Sequence, residues 1–139
     1  MRLRVVCDAS TILAALLDSG DDGRWATAKI SEGDLYAPTL LPFECANVMR
    51  RQELAGTITP DQAAQAHTDL LDLAIEYWPY DLLADRIWEL RENLSSYDAA
   101  YVALAETLDA TVVTLDRRIG GAPRLRCEID TPPLPRRRR

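Results

Sequence analysis

The 139-residue sequence contains few of the side chains that build zinc sites and disulfide frameworks. Its three cysteines, Cys7, Cys45 and Cys127, show no C-x-x-C spacing, and such an odd, sparse set argues against both kinds of site. We expect them to be small core residues. The single histidine, His67, lies in the polar segment "QAAQAHTDLL", which is typical of a solvated helix face rather than of a metal ligand.

Long apolar runs are also missing. No stretch approaches the roughly 20 apolar residues that a membrane-spanning helix needs. The residues before "VVCD" are too few for the apolar region of a signal peptide. We therefore expect a cytoplasmic protein with no membrane partner. The apolar fraction of 47% and the length together predict one globular domain.

Basic side chains are scarce in most of the chain. Lys29 is the only lysine, and the formal net charge is −6. Four of the fifteen arginines form the terminal run Arg136–Arg139, and without them the charge becomes −10. Such a body does not resemble a general nucleic-acid binder, which presents a basic face. It can still act on nucleic acid if its acidic side chains are concentrated in a metal site.

The apolar patterns alternate between short β-rich runs and helical segments, which predicts an α/β fold with a mostly parallel sheet. Helices are expected in "ASTILAALL", "DDGRWATAKISEG", "TLLPFECANVMRRQELAG", "TPDQAAQAHTDLLDLAI", "DLLADRIWELRENL" and "SSYDAAYVALAETLD", and a turn in "RRIGGAP". Strands are expected in "RLRVVCD", "DLYAP", "EYWPY", "ATVVTLD" and "LRCEI". We predict a folded domain over residues 1–130 and a disordered Pro/Arg-rich tail over residues 131–139.

Two predicted strands, "RVVCD" and "TVVTLD", are apolar runs that end in Asp8 and Asp116. In open α/β sheets the ligand crevice lies outside the carboxyl ends of the strands. Both aspartates are therefore expected at that edge if the two strands are neighbours. Each could also be a plain helix N-cap.

Two further carboxylates lie at apolar helix surfaces. Glu44 shares a helix face with Leu40, Leu41 and Val48, where a solvated glutamate is not expected. Asp98 heads a stripe of apolar residues in its helix, although Ser95-x-x-Asp98 also resembles a capping box. Glu44 could instead pair with a buried arginine.

A cluster of all four carboxylates would need a cation or retained protons, because the charges repel each other. Oxygen ligands alone favour Mg²⁺ or Mn²⁺ over zinc. The chemistry that suits such a site is phosphodiester hydrolysis, in which the metal activates water and neutralises the scissile phosphate.

Four segments, "VVCDAST", "PFECANVMRR", "LSSYDAAYVALAE" and "ATVVTLDRRI", resemble the signature segments of PIN-domain nucleases. Their spacing most resembles that of the VapC toxins of bacterial toxin–antitoxin pairs. The resemblance implies a three-layer α/β sandwich with a central five-stranded sheet. It assigns the catalytic and metal-binding roles to Asp8, Glu44, Asp98 and Asp116, and supporting roles to Ser10, Asn47 and Thr114.

The resemblance further implies a Mg²⁺-dependent endoribonuclease, a homodimer, and a cognate antitoxin as the inhibitory partner. Further candidates for RNA contacts are Arg117, Arg136, Arg137, Arg138 and Arg139. The alternative is a non-catalytic RNA-binding or interaction domain on the same fold. A receiver-like signalling domain fits poorly, because Ala9 and Ser10 follow Asp8 where an acidic pair is needed, and a phosphatase would need Asp-x-Asp there.

Overall fold

The computed structural model describes residues 2–134, in which strands and helices alternate along the chain. The strands are β1 (Leu3–Cys7), β2 (Gly33–Pro38), β3 (Ile75–Trp78), β4 (Thr111–Val113) and β5 (Ile129–Asp130). The helices are α1 (Ala9–Leu17), α2 (Asp21–Ile30), α3 (Leu41–Leu54), α4 (Pro60–Asp72), α5 (Ala84–Glu89), α6 (Ser96–Leu108) and α7 (Arg117–Gly120), with a 3-10 turn at Tyr80–Leu82.

The five strands form one parallel sheet in the order β3-β2-β1-β4-β5. The chain moves outward from β1 through β2 to β3, and then returns across the sheet to β4 on the other side of β1. The strand order therefore reverses between β1 and β4, whose carboxyl ends border the crevice in which such sheets bind ligands. The predicted α/β fold with a five-stranded parallel sheet is confirmed.

The helices form two packed groups. Helix α1 contacts α2, α3 and α4, whereas α5 contacts α6, which lies across β2, β1 and β4. Because parallel crossovers are right-handed, the reversal of direction after β3 places α5 and α6 on the face opposite to the earlier connections. Helices thus cover both faces of the sheet, which explains why its central strands read as continuous apolar runs.

Helix α6 is buried through its middle and carries Asp98 in its first turn. Seven consecutive residues, Ala99–Ala105, are each at most 3% exposed. The helix begins at Ser95, whose hydroxyl accepts a hydrogen bond from the Asp98 backbone N–H at 3.1 Å. The side chain of Asp98 is half-buried in this first turn, next to the core rather than on a solvated face.

The helix predicted over "DLLADRIWELRENL" is shorter than expected. It consists of the 3-10 turn followed by α5, and turns continue to Asn93. The apolar side chains that hold it against the core are Leu83, Ile87 and Leu90, each 2% exposed. Residues 91–93 are exposed, so no further apolar contact extends the helix.

Two features near the C-terminal end also differ from the prediction. The expected turn "RRIGGAP" contains the helical turn α7, which Asp116 caps and buried Ile119 anchors to the core. The last strand begins at Ile129 rather than at Leu125, although the Glu128 carbonyl already accepts the N–H of Val112 at 2.9 Å.

The remaining predictions about composition can be compared with the described residues. Cys7 and Cys45 are fully buried free thiols, as expected, and Cys127 is half-buried. Within residues 2–134, no helix is both long and apolar enough to cross a membrane.

Pro132 is buried and accepts a hydrogen bond from Arg117 Nη2 at 2.6 Å. The predicted contacts of Arg136–Arg139 lie outside the described residues.

Candidate active site

Asp8 follows β1 directly and is a buried carboxylate, 8% exposed. Its backbone N–H donates to the Val113 carbonyl at 3.3 Å, which fixes the end of β1 against the end of β4. Its side chain caps α1 by accepting the N–H of Thr11 at 3.1 Å. Asp8 is therefore an N-cap, as one alternative predicted, and it also lies at the carboxyl edge of the two central strands.

Neutral hydroxyls hold the Asp8 carboxylate. Ser10 Oγ donates to Oδ1 at 2.7 Å and Thr114 Oγ1 donates to Oδ2 at 2.5 Å, while Thr11 Oγ1 lies 3.3 Å from Oδ1. Burial raises the pKa of Asp8, and the hydrogen bonds from Ser10, Thr114 and Thr11 oppose that increase. The carboxylate is thus oriented by its neighbours without being paired with a cation.

The two hydroxyls also organise the segment that follows β4. Ser10 Oγ accepts the N–H of Leu115 at 3.0 Å, and Thr114 Oγ1 accepts the N–H of Asp116 at 2.9 Å. Thr114 is fully buried. Ser10 and Thr114 were predicted to support the site, and both contact Asp8. Thr11, which contacts the same carboxylate, was not predicted.

Glu44 enters the same region from α3. Tyr101, 2% exposed on α6, donates its hydroxyl to Glu44 Oε1 at 2.6 Å. Burial raises the pKa of Glu44, the negative charges of Asp8 and Asp98 raise it further, and the Tyr101 hydrogen bond opposes these effects. Glu44 therefore pairs with a tyrosine rather than with a buried arginine. Tyr101 was not predicted as a site residue, and no local spacing indicates a partner that lies 57 positions away along the chain.

Asp98 completes a group of mutually repelling carboxylates. Burial raises its pKa, as do the negative charges of Asp116 and Asp8, while hydrogen bonding to the Ser95 side chain and the positive charge of Arg118 oppose the increase. The charge of Asp8 raises the pKa values of both Glu44 and Asp98, and the charge of Asp98 raises that of Glu44, so these residues from a strand end and two helices share one region. We refer to these three side chains as the acidic cluster.

Asp116 differs from the acidic cluster because it has a cationic partner. The Arg118 guanidinium donates from Nε to Oδ1 at 3.0 Å and from Nη2 to Oδ2 at 2.9 Å. The Arg118 backbone N–H also donates to Oδ1 at 3.0 Å, so that Asp116 caps α7. Hydrogen bonding to Arg118 lowers the pKa of Asp116. The arginine that pairs with Asp116 is therefore Arg118, which the sequence analysis did not single out.

Two other residues considered in the sequence lie away from these contacts. Asn47 is exposed, one turn after Glu44 on α3. His67 is exposed on α4 and borders a shallow depression between α3 and α4. Neither side chain hydrogen-bonds to the four carboxylates within residues 2–134.

The donor set suits a hard divalent cation, but the side chains do not form a closed cage. Within the described part of the chain, no three His, Cys, Asp or Glu side chains are arranged to hold a metal ion between them. Tyr101 engages Glu44, and Arg118 engages both oxygens of Asp116. Such an open, all-oxygen arrangement fits Mg²⁺, which retains several waters and uses few protein ligands, better than it fits Ca²⁺ or zinc.

Comparison with known proteins agrees with the fold. The PIN domain family model matches residues 5–125. VapC ribonuclease Mb0985 of Mycobacterium bovis is 38% identical over 129 residues, which are 93% of this chain and 98% of that protein. These matches rule out the receiver-like and phosphatase-like alternatives.

Solved structures show the same fold at lower identity. PAE2754 from Pyrobaculum aerophilum has a TM-score of 0.66 at 21% identity, covering 92% of this chain and 83% of its own. VapBC-5 from Mycobacterium tuberculosis, a member of the VapBC family of toxin–antitoxin systems, has a TM-score of 0.58 at 18% identity, covering 92% and 98%. The chain belongs to the PIN-domain family, and within it to the VapC group.

Proposed function

We propose that this protein is a Mg²⁺-dependent endoribonuclease and the toxin of a toxin–antitoxin pair. The observation that carries the proposal is the acidic cluster at the point where the strand order reverses, with three carboxylates whose pKa values are all raised. A relative that is 38% identical over nearly the whole chain is named a ribonuclease, which supports the same activity here.

The residues that would hold the cation are those of the acidic cluster, with Asp116 beside them. Mg²⁺, when bound, supplies positive charge next to the scissile phosphate and a water of lowered pKa. Ser10, Thr11 and Thr114 fix the orientation of Asp8, so that this carboxylate is ready to bind without rearranging. Such preorganisation reduces the cost of assembling the site around the substrate.

Glu44 is the residue that we assign to proton transfer. A carboxylate within reach of the attacking water can accept its proton as a general base. The Tyr101 hydroxyl fixes the position of Oε1 and thereby restricts the movement of the carboxylate.

The Asp98→Asn variant tests the assignment, because it retains shape and the helix cap but removes the charge. We expect RNA cleavage in Mg²⁺ to fall by orders of magnitude while the protein still folds. Asp61→Asn is a matched control, since Asp61 is an exposed carboxylate in the first turn of α4. Normal cleavage by Asp98→Asn at low Mg²⁺ would refute the role, and no RNA cleavage by the unchanged protein would favour the non-catalytic alternative.

We also propose that the inhibitory antitoxin places an arginine or lysine near Asp8 and Asp98. Both carboxylates have raised pKa values, so a cation stabilises their charged forms, and a guanidinium can bind carboxylate at two points. VapBC-5 is described as belonging to a family of toxin–antitoxin systems, which supports a partner of this kind.

Competition for one site has a measurable consequence. Ligands that exclude each other weaken each other's apparent binding reciprocally. Added Mg²⁺ should therefore reduce antitoxin affinity at matched ionic strength, and Asp98→Asn should diminish this effect. Equal affinities with and without Mg²⁺ would show that the partner inhibits elsewhere.

A homodimer and a set of phosphate contacts complete the proposal. We propose a homodimer, because Phe43 and Leu54 of α3 and Leu71 of α4 are each more than two-thirds exposed. Sedimentation of the Phe43→Ser variant as a monomer, next to a dimeric parent, would support it.

We also propose that Arg117 and Arg136–Arg139 bind RNA phosphates. In a chain truncated after Pro135, the affinity for single-stranded RNA should depend less steeply on salt. The slope of log affinity against log salt concentration should be shallower by about 0.7 for each phosphate that the absent arginines would neutralise.

A further inference from the structure

A second concavity of about 410 Å³ lies beside the acidic cluster. It is enclosed by the end of β2 and the start of α3 on one side and by the 3-10 turn, α5 and the start of α6 on the other. The residues that matter for its chemistry are Thr39, Leu40, Tyr80, Ser95, Ser96 and Tyr97. We refer to it as the tyrosine pocket. Its volume lies within the range of about 300–1,000 Å³ that is typical of small-molecule sites.

Two residues that line the tyrosine pocket accept backbone hydrogen bonds from Glu44 and Asp98 of the acidic cluster. The Leu40 carbonyl accepts the backbone N–H of Glu44 at 3.1 Å, and Ser95 Oγ accepts the backbone N–H of Asp98 at 3.1 Å. Tyr97 immediately precedes Asp98 in α6. A group bound in the pocket therefore lies close to the carboxylates of Glu44 and Asp98, because the N-terminal ends of α3 and α6 line the pocket and carry these two residues.

The lining of the pocket contrasts with the rest of the molecule because it is uncharged. The formal net charge of the chain is −6, yet no Asp, Glu, Lys or Arg among the described residues lines this pocket. Tyr80 and Tyr97 are 59% and 65% exposed, so their rings are available to a ligand. The lining thus offers aromatic faces together with hydroxyl groups, next to a site that repels anions.

We propose that the tyrosine pocket binds one unpaired nucleobase of the RNA, so that the adjoining phosphodiester lies at the acidic cluster. This inference rests on the proposed function and extends it, since it assigns one base of the RNA to a defined pocket beside the acidic cluster. Stacking of bases on aromatic rings is uncharged, so it adds affinity that the acidic net charge of the chain does not oppose. A base in a duplex is already stacked and paired and cannot enter the pocket without leaving the helix.

The hydroxyl groups favour a base over an apolar protein side chain as the occupant. The hydroxyl-bearing residues of the lining are Thr39, Ser95, Ser96 and both tyrosines, and its apolar residues are Pro38, Leu40, Leu83, Ile87 and Ala100. An apolar side chain would displace water from these groups without replacing its hydrogen bonds, which is costly. A nucleobase presents donors and acceptors along its edge and an apolar face on each side, so it satisfies both parts of the lining.

Binding measured in EDTA tests the proposal independently of cleavage. The probe is a short, labelled, single-stranded RNA of mixed sequence, and the control probe is the same backbone without bases. Tyr97→Ala should weaken binding of the RNA roughly tenfold and leave binding of the abasic probe unchanged. Tyr97→Phe should retain most of the affinity because the ring remains. Trp88→Ala is the matched control, since Trp88 is 63% exposed but does not line the pocket.

The outcomes separate base binding from the nuclease assignment. Unchanged RNA binding by Tyr97→Ala, or equal binding of both probes by the unchanged protein, overturns the base-binding role even if Asp98→Asn abolishes cleavage. Base-dependent binding that Tyr97→Ala removes supports the pocket even if no cleavage is found. If Tyr97→Ala weakens antitoxin binding but not RNA binding, the pocket is a protein-docking site and the proposal is wrong.

Discussion

Asp8 and Asp116 follow neighbouring parallel strands and both cap a helix, yet their environments are opposite. Asp8 is buried, is bound by neutral hydroxyls, and has a raised pKa. Asp116 is bound at both oxygens by Arg118 and has a lowered pKa. The first carboxylate is oriented but has no cationic partner, whereas the second is paired with a solvent-exposed arginine of its own chain. Equivalent positions at a sheet edge therefore do not imply equivalent roles toward a cation.

The largest difference should appear when each charge is removed in turn. Asp8→Asn should lower Mg²⁺ affinity and RNA cleavage by orders of magnitude, because it removes an uncompensated carboxylate. Asp116→Asn should reduce Mg²⁺ affinity and RNA cleavage roughly tenfold less, or more than tenfold less, than Asp8→Asn does, because Arg118 already offsets part of that charge. Calorimetric titration with Mg²⁺ and a cleavage assay provide the two measurements. Equal reductions in the two variants would show that Arg118 leaves Asp116 during function.

A smaller effect is expected from the hydroxyl that joins the two aspartates. Thr114 is fully buried, donates to Asp8 and accepts from the Asp116 backbone. Thr114→Val keeps the shape but leaves these groups unsatisfied, so the free energy of unfolding should fall by about 1–3 kcal/mol. Urea unfolding measures this change. Ser10→Ala is the comparison, since Ser10 is only half-buried and water can replace its hydroxyl.

The pH dependence of stability in EDTA should show the two environments with opposite signs. Asp8 and Asp98 have folded pKa values above the ordinary 3.8, so the folded state binds their protons more tightly than the unfolded state does. Their contribution therefore becomes more favourable as the pH falls through the raised pKa values toward 3.8. Asp116 has a folded pKa below 3.8, so its stabilisation is present above 3.8 and is lost as the pH falls further.

Thermal unfolding midpoints should therefore rise on mild acidification and fall again in stronger acid. Asp98→Asn should reduce the rise of the midpoint on mild acidification and leave its fall in stronger acid unchanged. A midpoint that falls steadily from neutral pH downward would contradict the raised pKa values of the acidic cluster. Asp61→Asn again serves as the control, because its exposed side chain lies on another helix.

The sequence predicted most of the fold because burial on both sides of a sheet leaves a readable pattern. The apolar runs before Asp8 and Asp116 identified two adjacent strands, and the parallel sheet with its strand reversal is what brings those ends together. Glu44 and Asp98 were recognisable because carboxylates on apolar helix faces need an explanation. The short α7 and the late start of β5 were not predictable, since single turns and two-residue strands depend on tertiary contacts.

The partners of the carboxylates were less accessible to sequence reasoning than the carboxylates themselves. Two adjacent arginines follow Asp116, and only the backbone path of α7 decides that Arg118 folds back while Arg117 reaches Pro132. The Tyr101 hydroxyl bonds to a residue 57 positions away, so local spacing could not reveal it. Long-range hydrogen bonds of this kind are set by packing, which a single sequence does not specify.

The smallest expected effect, and the sharpest comparison between the two aspartates, comes from Arg118→Gln. The guanidinium is fully exposed, so solvent screens its attraction to Asp116, and its removal should change the fold little. The same charge also lowers the pKa of Asp98, so its removal makes the whole site more negative. We expect the Asp116 pKa to rise and Mg²⁺ affinity to increase by roughly two- to fivefold. An NMR titration of the carboxyl groups and calorimetry with Mg²⁺ measure the two changes.

Arg24→Gln is the control, because Arg24 forms an ion pair with Asp21 on the exposed surface of α2. A Mg²⁺ affinity that stays constant or falls would show that Arg118 does not compete with the cation. If RNA affinity in EDTA falls instead while Mg²⁺ affinity is unchanged, Arg118 contacts the substrate phosphate, and Asp116 serves to position that arginine rather than to bind metal.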